Sequence, residues 1–347
     1  MNMVTFSGCY TALVTPMTPN RQVDYEGLRS LVEFQIKEGV SGILAVGTTG
    51  ESPTLDWDEH NKVIEKVFEH SGSESLTIAG TGSNSTQETI AGTEHAAHIG
   101  VKCVLLVDPY YNGPSSLEIR REYVEPVASR FPEVQVIPYV IPGRTGTQLL
   151  PPDLAMLHQQ HKNISAVKEA TGNLDNMRLT RKLCGADFTI LSGDDDKTFD
   201  MMTAPDIAAS GVISVMSNIA PRAVQDMAQY IISGKADEAR NLRSALQPLF
   251  DIVTVKTQEE TPFGPVTCKA RNPLACKTLM NVLGMPSGPC RQPLGKMTRN
   301  GLETVLVNAR KVYEKDPEIL APIGDFFDVS IQERLNNERF WRGLTYA

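Results

Sequence analysis

The run Ile164-Ser165-Ala166-Val167-Lys168-Glu169-Ala170-Thr171-Gly172 ends a stretch of strand character on a lysine, and Thr-Gly then breaks the strand. A lysine at the C-terminal end of a buried strand is costly as a cation. Desolvation lowers its pKa and frees the amine as a nucleophile. Schiff-base formation with a carbonyl substrate is the reaction suited to such an amine. A surface lysine that caps a strand is the competing reading, and this run alone does not separate the two.

Other chemistry-bearing residues follow the ends of other strand-like runs. Gly47-Thr48-Thr49-Gly50-Glu51 sets two threonines between glycines, a tight loop whose N–H groups and hydroxyls can hold a carboxylate. Asp108-Pro109-Tyr110-Tyr111-Asn112 follows a second run. Tyr139 ends a third, followed by Pro142-Gly143-Arg144-Thr145-Gly146, and Gly193-Asp194-Asp195-Asp196 follows a fourth. One lysine, several tyrosines, one arginine and a threonine loop suit a Schiff-base lyase acting on a keto acid. The amine attacks the ketone, hydroxyls relay protons, and arginine holds a second carboxylate.

For these residues to converge, the strand ends must share one face. Short apolar runs at residues 9–14, 43–46, 76–79, 103–107, 134–139, 164–168, 188–191 and 211–215 read as buried parallel strands. Segments of helical periodicity separate them, at 25–37, 57–70, 86–99, 117–131 and 221–232 among others. This alternation predicts a (β/α)8 TIM barrel, whose active face lies at the strand C-termini. A doubly wound sheet is disfavoured, because no Gly-x-Gly-x-x-Gly opens a first helix. The barrel is expected to span residues 1–232. Beyond it the strand signal stops, and 233–347 is expected to form a C-terminal helical region with an extended tail. Within that region, 235–256 reads as helix and 258–272 as an irregular connection. The tail carries Phe326, Phe327, Phe340 and Trp341, too many aromatics for a floppy segment.

Bulk properties narrow the partners. A net charge of −8 argues against nucleic acid, whose phosphates demand a basic excess. The first residues lack the basic and apolar regions of a secretory signal, and no apolar run approaches the roughly 18 residues that cross a bilayer. The six cysteines include no Cys-x-x-Cys pair, so they are expected to be reduced thiols of a cytoplasmic protein. His95 with His98, and His158 with His161, have helical spacing without further ligands in view, so no metal site is expected there. Asp194-Asp195-Asp196 has the chemistry to hold magnesium, but acidic clusters at barrel loops also serve in hydrogen bonding, and imine chemistry needs no metal or organic cofactor, so none is expected.

Gly47-Thr48-Thr49-Gly50-Glu51, Pro109-Tyr110-Tyr111-Asn112, the run from Tyr139 to Gly146, and Val167-Lys168-Glu169-Ala170-Thr171-Gly172 together resemble the pyruvate-dependent class I aldolase family. More narrowly, the chain is similar to its dihydrodipicolinate synthase branch, over about residues 8–313. The resemblance implies condensation of pyruvate with aspartate 4-semialdehyde to 4-hydroxy-tetrahydrodipicolinate, on the diaminopimelate route to lysine. It implies that Lys168 forms the imine and that Thr48, Tyr111 and Tyr139 relay protons, with Tyr111 reaching a neighbouring subunit. Thr49 would hold the pyruvate carboxylate with Thr48. Arg144 would hold the acceptor carboxylate, and backbone groups of Gly193 and Ile213 would line the pocket. It further implies a homo-oligomer, a dimer of dimers, and a feedback site for lysine at Ser52, Pro53, Trp57, His60, Asn84, Glu88 and Tyr110. An ordinary polar interface is the alternative for those seven residues. The chain departs from the family pattern at Asp108 and Val140, and residues 257–268 and the tail extend beyond it. Two rivals share the pocket: another aldolase or hydratase-aldolase of the family, such as an N-acetylneuraminate lyase or a keto-deoxy-sugar-acid aldolase, and a non-catalytic pyruvate-binding paralogue.

Overall fold

A computed structural model of the chain describes residues 4–346. Eight short strands follow one another in hydrogen-bonding order: β1 (Gly8–Ala12), β2 (Gly42–Ala45), β3 (Leu76–Gly80), β4 (Cys103–Val107), β5 (Gln135–Val140), β6 (Ala166–Glu169), β7 (Thr189–Ser192) and β8 (Gly211–Ser214). All neighbours are parallel, and β8 returns to β1, with Cys9 opposite Val212. The expected (β/α)8 barrel is therefore closed, and every strand lies within two residues of its predicted bounds.

Two apolar layers explain why these strands read as continuous hydrophobic runs. Inward side chains such as Tyr10, Leu44, Ile78, Leu105, Ile137 and Leu191 fill the barrel. Outward ones such as Ile43, Val104, Val136, Val167, Ile190 and Val212 pack beneath the helices. Alternation along β6 sends Ala166 inward and Val167 outward, so Lys168 points into the barrel mouth.

Caps fix where the helices begin. Asp24 accepts from the Gly27 N–H at the start of Tyr25–Lys37, Asp56 from Glu59 at Trp57–Ser71, and Ser85 from Glu88 at Thr86–His98. The helix predicted over 117–131 is instead three pieces, Ser116–Glu118, a π-helical Ile119–Val124, and Glu125–Arg130. Pro126 offers no N–H to the Glu122 carbonyl, and the Thr86 hydroxyl donates to that carbonyl instead, at 2.7 Å.

The C-terminal region is helical as expected, at Leu274–Leu283 and Arg299–Lys315 among others, but the segment before Leu274 differs. Helix Ala236–Phe250 ends early, and an antiparallel hairpin follows, β9 (Thr254–Glu259) and β10 (Val266–Arg271). Thr261 and Gly264 close its turn with reciprocal backbone bonds. The hairpin escapes a search for apolar runs because only one face is covered. Val255 and Ala270 turn to the core, while Lys256, Gln258, Thr267 and Lys269 alternate outward. The tail packs, as its aromatics suggested: Phe326 and Phe327 each stand 5.3 Å from the Phe34 ring, on the barrel helix Tyr25–Lys37. Among the described residues, no helix is long and apolar enough to cross a membrane.

Candidate active site

Lys168 is 4% exposed, and its Nζ lies over the Tyr139 ring, 4.1 Å from the centroid. The two residues are register partners on β5 and β6. Burial pulls the Lys168 pKa down to about 8; Asp194 and Asp195 oppose the shift and Arg144 adds to it. Near neutrality roughly a tenth of this lysine is therefore free amine, far more than of an ordinary lysine. The Tyr139 phenol is pushed above its ordinary value by burial, with Arg144 and Thr48 offsetting part of the effect.

A cleft of about 270 Å³ opens above Lys168, lined by Thr48 and Thr49 after β2, Tyr139 on β5, Arg144 after β5, and Gly193 and Asp194 after β7. Gly193 is required there. A Cβ at this position would stand 2.8 Å from the Ala170 Cβ and 3.1 Å from the Lys168 Cε. The Thr48–Thr49 loop is a tight turn, with Gly50 N–H donating to the Gly47 carbonyl. Left-handed backbone at Val46 (φ 48°) and Glu51 (φ 59°) brackets it, a strain typical of functional loops. A fully buried ion pair holds the loop's end. Lys277 Nζ donates to Glu51 Oε1 at 2.6 Å and to the Thr15 and Pro289 carbonyls, and Glu51 Oε2 accepts from the Arg291 N–H.

Burial raises Asp194 to about 6, aided by Asp196. Asp195 is turned away from solvent and accepts from the Ser214 hydroxyl and the Val215 and Met216 N–H groups. Asp108, the departure after β4, is raised to about 8 by burial. Its Oδ2 accepts from the Leu149 N–H, while its Oδ1 is buried without a partner. Asp108 thus packs behind the site as a largely protonated acid at neutral pH.

Not every expected residue reaches the cleft. Tyr111 is 93% exposed with φ 76°, and it lines no cavity with Lys168. Ile213 packs in the barrel interior, and Val215, two residues on, lines the cleft instead. The residues named for a lysine site are distributed around Tyr110. Ser52, Pro53 and Tyr110 line a second cavity of about 210 Å³, which shares Thr48, Tyr139 and Arg144 with the first. Asn84 accepts from the Tyr110 N–H at 2.8 Å, and Glu88 accepts from the Ser83 hydroxyl. Trp57 packs behind at a tilt against His60, which burial lowers to about 4 and which shares a hydrogen bond with Ser52.

Sequence reading missed one wall. Asn272, at the end of the hairpin, donates to the Thr49 hydroxyl at 2.9 Å and accepts from the Arg144 guanidinium at 3.0 Å through its carbonyl. Arg271 donates to the Gly143 carbonyl, and Lys269 and Thr254 line the cleft beside it. Only the hairpin's docking reveals these residues, because nothing local in 254–272 resembles a motif.

The sequence and the fold both have known relatives. The profile of the dihydrodipicolinate synthetase family matches residues 5–311. The 4-hydroxy-tetrahydrodipicolinate synthase of Methanococcus maripaludis strain S2 is 41% identical over 293 residues, 84% of this chain and 94% of that protein. Two solved structures superpose with TM-scores of 0.80. One is the dihydrodipicolinate synthase of Cyanidioschyzon merolae with lysine bound, 32% identical, covering 88% of this chain and 98% of that one. The other is the chloride-inhibited dihydrodipicolinate synthase of Acinetobacter baumannii complexed with pyruvate, 31% identical, covering 89% and 99%. The chain belongs to the dihydrodipicolinate synthetase family.

Proposed function

We propose that the protein condenses pyruvate with aspartate 4-semialdehyde to 4-hydroxy-tetrahydrodipicolinate through an imine on Lys168. The observation that carries this reading is a desolvated lysine under a tyrosine ring, in a cleft that also holds a threonine loop and a half-buried arginine. The neutral Nζ attacks the pyruvate ketone, and loss of water leaves the imine. The protonated imine nitrogen then serves as the electron sink, so the methyl carbon gives up a proton and becomes an enamine. That carbon adds to the aldehyde, and the aldehyde oxygen takes a proton as the new C–C bond forms. The amino group of the condensed product attacks the imine carbon, closes a six-membered ring and releases Lys168.

Tyr139 and Thr48 are assigned the proton transfers, because both border the Lys168 amine. Thr49 and the N–H groups of its loop hold the pyruvate carboxylate, and Gly193 leaves room for the bound keto acid. Arg144 holds the acceptor carboxylate, its fork braced by Asn272. Tyr111 acts in a neighbouring copy's cleft, a role in keeping with its exposure, so the active unit is at least a dimer. Lysine binds around Tyr110 with Ser52, Asn84 and Glu88; the lysine-bound relative supports this reading.

Arg144→Ala tests the substrate assignment. With pyruvate saturating, the variant is expected to lose about 100-fold or more in kcat/KM for aspartate 4-semialdehyde, the scale of a lost charge-assisted carboxylate contact. Uncharged aldehydes should lose far less. Full activity with aspartate 4-semialdehyde would reject the assignment.

A further inference from the structure

The β9–β10 hairpin carries a row of cations over the mouth of the Lys168 cleft. Register places Lys256 directly opposite Lys269, and Thr254 opposite Arg271, on one face of the two-stranded sheet. Thr254, Lys269 and Arg271 line the cleft with Arg144, while Val255 and Ala270 on the other face join the core. Like charges set directly across a ladder are unfavourable. Here no ion pair relieves them, although Asp194 lines the same cleft. Among the described residues, none of Arg144, Lys256, Lys269 and Arg271 forms an ion pair. The Lys269 pKa is lowered first by Arg271, then by its modest desolvation, Lys256 and Arg144, so the four groups share one electrostatic neighbourhood. This cluster stands on a chain whose net charge is −8. An unpaired local excess of this kind attracts and orients anions.

We propose that the hairpin is the anion-recognition element for the aldehyde substrate: Arg271 joins Arg144 in gripping the acceptor carboxylate, and Lys256 with Lys269 draws the anion toward the cleft. The inference rests on the imine reading of Lys168 and adds the element that selects the second substrate. Arg271 is already braced. Its Nη1 donates to the Gly143 carbonyl at 3.0 Å, one residue before Arg144, which leaves the rest of its fork for a ligand. Two guanidinium groups on separate elements would then converge on one carboxylate.

The test uses full-length Arg271→Gln, Arg271→Lys and the double variant Lys256→Gln/Lys269→Gln. Two readouts are needed: steady-state kinetics with aspartate 4-semialdehyde varied, and borohydride trapping with pyruvate varied. Arg271→Gln should raise the aldehyde KM about tenfold while kcat stays within about twofold. Arg271→Lys should recover most of that loss. Pyruvate trapping should half-saturate at the wild-type concentration in both. The double variant should flatten the fall of kcat/KM with ionic strength. An unchanged aldehyde KM in Arg271→Gln would overturn the proposal. So would a loss shared equally by kcat and pyruvate trapping, since that marks a merely structural hairpin. Wild-type protein that fails to trap pyruvate at all would remove the imine reading, and this inference with it.

Discussion

At the scale of the residue, Lys168 and Gly193 form a coupled pair. The lysine owes its lowered pKa to burial, and just after β7 a Cβ at Gly193 would stand only 3.1 Å from its Cε. Gly193→Ala is expected to force the Lys168 Cε and the Ala170 Cβ apart. Overpacking of this kind costs about 1–3 kcal/mol. The displaced amine should slow imine formation about tenfold or more, read as the rate of pyruvate trapping, while Thr48→Ser at the same mouth should be far milder. The Lys168 pKa also fixes a pH profile. Only the free amine attacks, so the pyruvate-trapping rate should rise with pH through about 8 and level off above it. The sign follows from the direction of the shift: burial disfavours the cation, which moves the midpoint below an ordinary lysine's value.

At the scale of the element, the Thr48–Thr49 loop is held by the buried Lys277–Glu51 pair rather than by its own sequence. Both side chains are at most 1% exposed. Replacing both with apolar groups can be tolerated, but removing one leaves a charge stranded, at about 3–5 kcal/mol. Lys277→Met should therefore lower the melting temperature markedly. It should also depress kcat beyond the stability loss at assay temperature, because Glu51 would no longer anchor the loop. Glu51→Gln/Lys277→Met should regain part of both. The barrel was legible because each strand is buried on two faces and so announces itself as an apolar run. The Gly-Thr-Thr-Gly loop and the lysine were legible only together, because several chemistry-bearing residues recur at the ends of successive strands, whereas a lone lysine there could equally cap a strand. The hairpin was not legible: one covered face gives Thr-Val-Lys-Thr-Gln-Glu, which reads as a polar connection. Arg271, Lys269 and Asn272 were hidden with it, and so was the buried partner of Glu51, some 226 residues along the chain.

At the scale of the whole molecule, the cleft is a meeting of distant segments. Thr48 comes from the loop after β2, Tyr139 from β5, Lys168 from β6, Gly193 from the turn after β7, and Asn272 from the end of the hairpin. Closure of the barrel brings the first four together, and the C-terminal region brings the fifth. That region in turn is fastened to the barrel by Lys277 and by the Phe326 and Phe327 rings on Phe34. Tyr111 is exposed, which suits the role proposed for it in a neighbouring copy's cleft. Everything in this arrangement turns on one bond. Intact-protein mass should be measured after borohydride reduction with pyruvate, for the wild type and Lys168→Ala. A single pyruvyl adduct is expected on the wild type and none on the variant; an adduct that persists without Lys168, or a wild type that never acquires one, would contradict the imine.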